Sequence, residues 1–310
     1  MNQTDKILIT GANGLVGSAL VEYLNYLGYK NLILAGRLDC DLIDARETNR
    51  FFQQHQPTYV FHSAARVYGI MGNIKNKGLS FYENVMINTN VIEAAKNVNV
   101  KKITVMGTGA VYPFPSPGLP LKEDMIFMGE PHEAENSYAH AKRTMLAMLK
   151  AYEESYKMKW AYVVSCNLFG PRDKFDTEFG HVVPSLIKKF HEAKQRREKV
   201  IVWGDGNAKR DFMYIMDAVR ACYLIMEKIN GAVNIGSGTI YRIRDIVNML
   251  SEISCMNGQI LWDETKPNGQ DYRAYDLSLL NATGFKNNYS IKQGLKETWE
   301  WYSKKLDGVQ

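Results

Sequence analysis

Short apolar runs alternate with longer amphipathic stretches from Lys6 to about Ser165, the pattern of βαβ units that build a parallel sheet. Residues 6–10, 31–35, 58–62, 102–106 and 161–165 predict strands. Between them, residues 15–27, 44–55, 82–97 and 137–156 carry a helical period, with Gly28 and Pro57 as stop signals near two of their ends. After Asn167-Leu168-Phe169-Gly170-Pro171 the rhythm breaks. The remainder predicts helices over 181–194, 217–228, 242–253 and 291–304, and strands over 200–203 and 232–235. The expected fold is α/β: a doubly wound parallel sheet over residues 1–170 with a returning segment at about 230–255, and a smaller, interleaved domain over 171–310.

Composition narrows the class. At 45% hydrophobic and 23% charged over 310 residues, the chain is close to the average for soluble globular proteins, which disfavours a disordered, collagen-like or coiled-coil protein. No apolar run approaches the roughly 18 residues of a membrane span, and Met1 to Lys6 is unlike a signal peptide, so a cytoplasmic location without membrane contact is expected. Lys plus Arg number 38 against 33 for Asp plus Glu, an excess that suits an anionic small ligand but is too scattered for nucleic acid. Cys40, Cys166, Cys222 and Cys255 lie far apart with no clustered histidine, so neither a metal site nor a disulfide framework is expected. Cys40, Cys222 and Cys255 read as packing residues.

Gly11-Ala12-Asn13-Gly14-Leu15-Val16-Gly17 follows the first strand and opens the first helix. Glycines there tighten the turn, let backbone N–H groups approach a pyrophosphate and let the helix pack on the sheet. The second strand ends Leu34-Ala35-Gly36-Arg37, with no carboxylate before Asp39 to hold ribose hydroxyls. Arg37 is placed to pair with a 2′-phosphate, which favours NADPH over NADH. Asp41 and Leu42 read either as adenine contacts or as an ordinary loop, and Ala64 and Ala65, after the third strand, complete the expected cofactor contacts.

Tyr138 and Lys142 stand one helical turn apart, hence on one face. A neighbouring cation favours phenolate, so the pair is expected to lower the phenol pKa and serve as a general acid or base. Thr108, just past the fourth strand, adds a hydroxyl at the edge where open α/β sheets bind ligands. Nothing in their spacing gives His62 or His140 a partner, and both read as structural.

Together, Gly-x-x-Gly-x-x-Gly, Thr108, Tyr-x-x-x-Lys, Asn167-Leu168-Phe169-Gly170-Pro171 and Arg210-Asp211-Phe212-Met213-Tyr214-Ile215-x-Asp217 resemble the extended short-chain dehydrogenase/reductase family, with its Rossmann-like fold. Within that family the chain is similar to the GDP-L-fucose synthases, which epimerise and reduce a GDP-4-keto-6-deoxy sugar. The segments that carry this are Tyr82-Glu83-Asn84-Val85-Met86-Ile87-Asn88, Val111-Tyr112-Pro113, Gly180-His181-Val182-Val183-Pro184, Val200-Ile201-Val202-Trp203-Gly204-Asp205-Gly206 and Lys266-Pro267-Asn268-Gly269. The resemblance implies that Thr108 binds the substrate carbonyl, Tyr138 donates the proton, and Lys142 holds the nicotinamide ribose. It implies a GDP-linked sugar on Asn167, Lys189, Trp203, Arg210 and Arg273, the base between Val182 and Leu186, and a homodimer through the third and fourth long helices, which the pattern shows only to be amphipathic. Asn13 stands where a second arginine is common. Lys189 and Arg273 each exchange one basic residue for the other, which keeps charge but not bidentate geometry.

Ala110 departs from this pattern. Epimerisation beside a ketone needs a base on one face of the carbon and an acid on the other, and the fucose synthases use a Cys and a His. Here His181 is kept, but Ala110 replaces the thiol. Losing one such group removes on the order of 10²- to 10⁴-fold, while hydride transfer survives. The expected activity is therefore C4 reduction of a nucleotide-linked 4-keto deoxy-sugar or heptose without epimerisation. A bifunctional epimerase-reductase using a substitute base such as Cys166, an NAD-dependent 4-epimerase or dehydrogenase, and an inactive sensor remain as alternatives. Residues 67–73 and 114–128 read as substrate-side loops.

Overall fold

The computed structural model describes residues 1–67, 75–177, 180–265 and 272–308. Residues 68–73 of the first expected substrate-side loop and the Lys266-Pro267-Asn268-Gly269 motif lie outside them. Six strands form one parallel sheet in the order β2-β1-β3-β4-β5-β9: β1 (Ile7–Thr10), β2 (Leu32–Ala35), β3 (Tyr59–His62), β4 (Lys102–Met106), β5 (Trp160–Ser165) and β9 (Gly231–Ile235). Ile7, Leu8, Ile9 and Val60 are fully buried, because a parallel sheet is covered on both faces.

The helices cover those faces as right-handed crossovers require. The chain moves one way from β1 to β2 through α1 (Leu15–Tyr26), and the other way through α2 (Ala45–His55), α3 (Lys77–Asn97) and α4 (Asn136–Tyr156). Accordingly α2, α3 and α4 pack side by side, while α1 packs on α6 (Ile215–Lys228). Asp44 caps α2 by accepting from the Arg46 and Glu47 N–H groups, whereas α1 has no side-chain cap. No helix of the described residues is long and apolar enough to cross a membrane.

The second half adds a three-stranded sheet, β10 (Ile240–Arg242), β8 (Lys209–Tyr214) and β6 (Asn167–Phe169), and a parallel pair, β11 (Ile260–Asp263) with β7 (Val200–Trp203). Around them lie α5 (Val182–Arg196), α7 (Ile243–Ser254), α8 (Ser278–Ala282) and α9 (Ile291–Leu306). The periodicity does not announce β6, β8, β10 or β11. β6 and β10 have three residues each, β8 opens on the polar Lys209-Arg210-Asp211, and their pairing is supplied by strands distant in sequence.

Helix α3 corrects the amphipathic expectation. It starts at Lys77 and not at Tyr82, its inner face carries the fully buried Ser80, Asn84 and Asn88, and Leu79, Phe81 and Tyr82 are exposed. The buried amides have work there: Asn84 accepts from the Arg66 N–H and donates to the Arg66 carbonyl, both at 3.0 Å, fixing the chain as it leaves β3. Asn88 Oδ1 lies 3.1 Å from His62 Nε2, and its amide donates to the Ala141 carbonyl at 3.5 Å. His62 Nδ1 is in turn 2.7 Å from Thr10 Oγ1. A buried polar thread thus runs from the end of β1, through β3 and α3, to the backbone of α4 beside Lys142, and gives His62 the partners its spacing did not reveal. His140 also has one, Glu130 Oε2 at 3.0 Å.

His62 is 1% exposed, and burial, reinforced by the charge of Lys142, pushes its pKa down to about 3. Unfolding releases an imidazole that titrates near 6.5, so the stability this residue provides is complete above that pH and drains away as pH falls toward 3. We expect wild type to lose about 2 kcal/mol from this source between pH 7.5 and pH 5. His62→Gln should lose correspondingly less over the same interval, read by urea titration at both pH values; equal losses would exclude the buried imidazole as their origin.

Candidate active site

The order β2-β1-β3 places a topological switch between β1 and β3, where open α/β sheets leave a crevice at the strand ends. Gly11 leaves β1 at φ +69°, and a methyl group there would lie 2.8 Å from the Ala64 nitrogen. Only glycine fits both the conformation and the contact. Gly17 sits so close over Gly11 that a side chain would overlap its carbonyl. Gly14 heads α1, whose first turn holds no acidic residue, with Asn13 exposed and Leu15 and Val16 half-buried beside it. This open, positively polarised helix end suits a pyrophosphate.

At the end of β2, Asp39 folds back and its carboxylate accepts the Gly36 N–H at 2.8 Å. An acid therefore does reach this strand end, which the spacing concealed. Its oxygen is used by the backbone, and Arg37 is exposed next to it with the Asn13 amide packed on Gly36. Asp41 is exposed with Oδ1 accepting the Ile43 N–H, and Leu42 is buried in the core. Ala64 and Ala65 are half-buried at the exit of β3.

Thr108 follows β4 and begins a single helical turn, Gly109–Val111, its Oγ1 accepting the Ala110 N–H at 3.2 Å. Lys142, on α4, is 2% exposed and donates to the Met106 carbonyl at 2.9 Å, which anchors the ammonium at the end of β4 two residues from Thr108. Its nitrogen lies 5.8 Å from the centre of the Tyr138 ring. From β5, the Tyr162 hydroxyl donates to the Lys142 carbonyl at 3.2 Å and its ring fills the space above Gly107.

The electrostatics reverse the expectation for this pair. Burial, followed by the nearby Glu135 carboxylate, raises the Tyr138 pKa, and burial pushes Lys142 down to about 7. Lys142 is buried and Tyr138 half-buried, and desolvation penalises the charged form of each. Tyr138 is thus held protonated.

Ala110 is 3% exposed. Cys166 is buried, and burial, then the Asp211 carboxylate, raises its pKa well above the ordinary range. Cys255 is exposed at the left-handed residue that ends α7, so the packing role expected of it is wrong, whereas Cys40 and Cys222 are buried. No group of three or more His, Cys, Asp or Glu suited to a metal occurs among the described residues.

His181 precedes α5, with Nδ1 3.6 Å from Asp173 Oδ1. The Asp173 carboxylate beside it raises the imidazole pKa. Lys189 and Trp203 come together: the ammonium stands 4.4 Å over the indole and donates to the Ile201 carbonyl at 3.2 Å. Arg210 lies on β8 and Asn167 on β6, where the Asn167 amide donates to the Asp211 carbonyl at 3.1 Å. Val182 is exposed at the start of α5, whereas Leu186 is buried in the core one turn on, which removes it as an open flank for a base. Arg273 reaches the catalytic turn itself: Nη2 is 3.9 Å from Glu135 Oε2, and Nη1 is 3.1 Å from where a Gly109 side chain would begin.

Asp173, Glu135 and Tyr275 belong to this site and were missed. Asp173 and Glu135 sit in loops without a period. Tyr275 was detectable only through its i, i+2 relation to Arg273. The segment 114–128 is stapled at its far end: the Asn234 N–H donates to Glu123 at 2.7 Å, and Leu121 exchanges backbone hydrogen bonds with Ala274 and Asp276.

Comparison with known proteins accords with this geometry. A putative GDP-L-fucose synthase from Arabidopsis thaliana is 34% identical over 305 residues, 97% of this chain and 93% of its own length. A GDP-6-OMe-4-keto-L-xylo-heptose reductase from C. jejuni superimposes with a TM-score of 0.91 at 29% identity, over 98% of this chain and 99% of that one. A GDP-mannoheptose C4 reductase from Campylobacter jejuni, solved with NADP bound, gives 0.88 at 30% identity over the same shares. The family model for NAD dependent epimerases/dehydratases matches residues 7–236, a span that holds the glycine turn, Thr108, Tyr138 and Lys142, and the chain belongs to that family.

Proposed function

We propose that the protein is an NADPH-dependent reductase that converts the C4 ketone of a GDP-linked 4-keto sugar, a deoxyhexose or heptose, to the alcohol without epimerising its neighbours. One observation carries the second half of this reading: at the catalytic turn, the residue two positions after Thr108 is a buried alanine, and the nearest thiol considered as its substitute is held protonated. The related heptose reductases and the NADP-bound neighbour support the first half.

Gly11, Gly14, Gly17 and the amino end of α1 hold the pyrophosphate in this reading, and Arg37 with Asn13 faces the 2′-phosphate. Bound NADPH supplies the hydride. Thr108 donates a hydrogen bond to the C4 carbonyl and orients it. Tyr138, its pKa raised by partial burial and the Glu135 carboxylate, gives its proton to the alkoxide as that forms. Lys142, anchored on the Met106 carbonyl, stabilises the phenolate left behind and holds the nicotinamide ribose. His181, with Asp173 behind it, keeps an imidazole proton for a hydrogen bond to the sugar. The nucleotide diphosphate falls to Lys189, Trp203 and Arg210. The protein works as a homodimer through α3 and α4, whose exposed Phe81 and Tyr82 suit an interface.

The second reading, a bifunctional 3,5-epimerase and 4-reductase, is favoured by 34% identity to a fucose synthase over nearly the whole chain and by the retained His181. Turnover of a GDP-4-keto-6-deoxy sugar with NADPH in D₂O separates the two. Reduction without deuterium at C3 or C5 is expected, and deuterium there with inverted configuration would establish epimerisation. Tyr138→Phe should lower kcat by on the order of 10²- to 10⁴-fold while NADPH still binds, and a loss under tenfold would displace it as the acid. Arg37→Ala should raise KM for NADPH about tenfold or more and leave KM for NADH within twofold; parallel changes for the two cofactors would remove Arg37 from the 2′-phosphate site.

A further inference from the structure

The chain from Tyr272 to Asp276 is extended between two distant partners. Tyr272 bridges Lys209 on β8, and Tyr275 bridges Leu121, with the Leu121 N–H donating to the Ala274 carbonyl at 2.9 Å and the Asp276 N–H to the Leu121 carbonyl at 2.8 Å. In extended backbone, residues two apart share a face. Arg273 and Tyr275 accordingly converge on the turn that Thr108 begins. A side chain on Gly109 would overlap the Tyr275 hydroxyl, and it would begin 3.1 Å from Arg273 Nη1. Tyr275 is 9% exposed, its ring 6.1 Å from that of Tyr112, and its hydroxyl is hydrogen-bonded to Arg273. Arg273 in turn faces Glu135, one turn before Tyr138.

A phenol backed by a guanidinium therefore rests on the backbone between the carbonyl-binding Thr108 and the Ala110 methyl. In a 4-keto pyranose the two carbons flanking the ketone differ: C3 carries a hydroxyl, whereas C5 carries the ring oxygen and the exocyclic carbon. A hydroxyl beside the carbonyl site is met best by a side chain that both donates and accepts, and a phenol does so.

We propose that Tyr275, backed by Arg273, is a specificity-determining residue that hydrogen-bonds the C3 hydroxyl of the 4-keto sugar and so selects sugars that retain it over 3-deoxy sugars. The proposal rests on the reductase reading above. It is tested with the full-length protein and Tyr275→Phe, each given NADPH with GDP-4-keto-6-deoxymannose or GDP-4-keto-3,6-dideoxymannose. Wild type should prefer the hydroxylated sugar about tenfold or more in kcat/KM. The variant should lose about tenfold on that sugar and stay within twofold on the 3-deoxy sugar, so that the preference collapses. Equal losses on both sugars, or no loss on either, would overturn the assignment. Should Tyr275→Phe fail to fold, Tyr275→Leu makes the same comparison. Calorimetric binding of GDP-6-deoxymannose and GDP-3,6-dideoxymannose repeats it without turnover: discrimination that vanishes in the variant upholds the role of Tyr275 even if no ketone is reduced, and discrimination that persists overturns it.

Discussion

Strands β1 and β3 leave the sheet so close together that a methyl group on Gly11 would stand within 3.0 Å of backbone atoms of both Ser63 and Ala64. The crevice, the turn into α1 and the seat for a pyrophosphate all depend on that approach, since it sets where the helix begins relative to the strand ends. The contact is held from below by polar groups. Thr10 Oγ1 accepts the Ala64 N–H at 3.3 Å and lies against His62, while the Ser63 hydroxyl donates to the Thr10 carbonyl at 2.6 Å. Through Asn88 the same network reaches α4, so the cofactor end and the acid–base end of the cleft share one buried framework.

Dryness governs the chemistry at the other end. Tyr138 and Lys142 are shifted in opposite directions by the same cause, loss of water, and each is pressed toward its neutral form. In the proposed reduction a phenol that keeps its proton is the acid, and the Lys142 nitrogen, tethered to the Met106 carbonyl, stands 5.8 Å from the centre of its ring. The same burial makes Cys166 a poor base, because a thiol between apolar walls and the Asp211 carboxylate cannot ionise cheaply.

Reaction class within such a fold is decided by very few atoms. The machinery for positioning and protonating a C4 oxygen is separate from what is needed to move a proton at the adjoining carbons. In the proposed reading, one side chain on the turn after Thr108 bears on the second and not on the first. The surroundings of that turn, with Arg273, Tyr275 and Glu135 close by, are polar and crowded.

Much of the doubly wound sheet was legible in the sequence because its strands are buried runs and its helices follow 3.6-residue periods: β1 and β4 appear at or within one residue of their expected bounds. The places of the glycine turn, Thr108, Tyr138 and Lys142 at the strand ends and on one helical face were legible too, since each follows from local spacing. Local pattern could not show β6, β8, β10 and β11, whose partners are remote in the chain, nor that α3 turns polar residues inward to hold backbone groups of other elements. It also gave the wrong sign for the phenol, because a pKa depends on how much water is removed and only packing removes it. What the sequence determined by itself was the order of elements and the acid–base pair on one helix. Tertiary structure alone decided the placing of Arg273 and Tyr275 on the turn after Thr108, because it brings together segments far apart in the chain, whereas the carboxylate folded back on Gly36 and the Asp173–His181 pair are loop conformations that no periodic pattern announces.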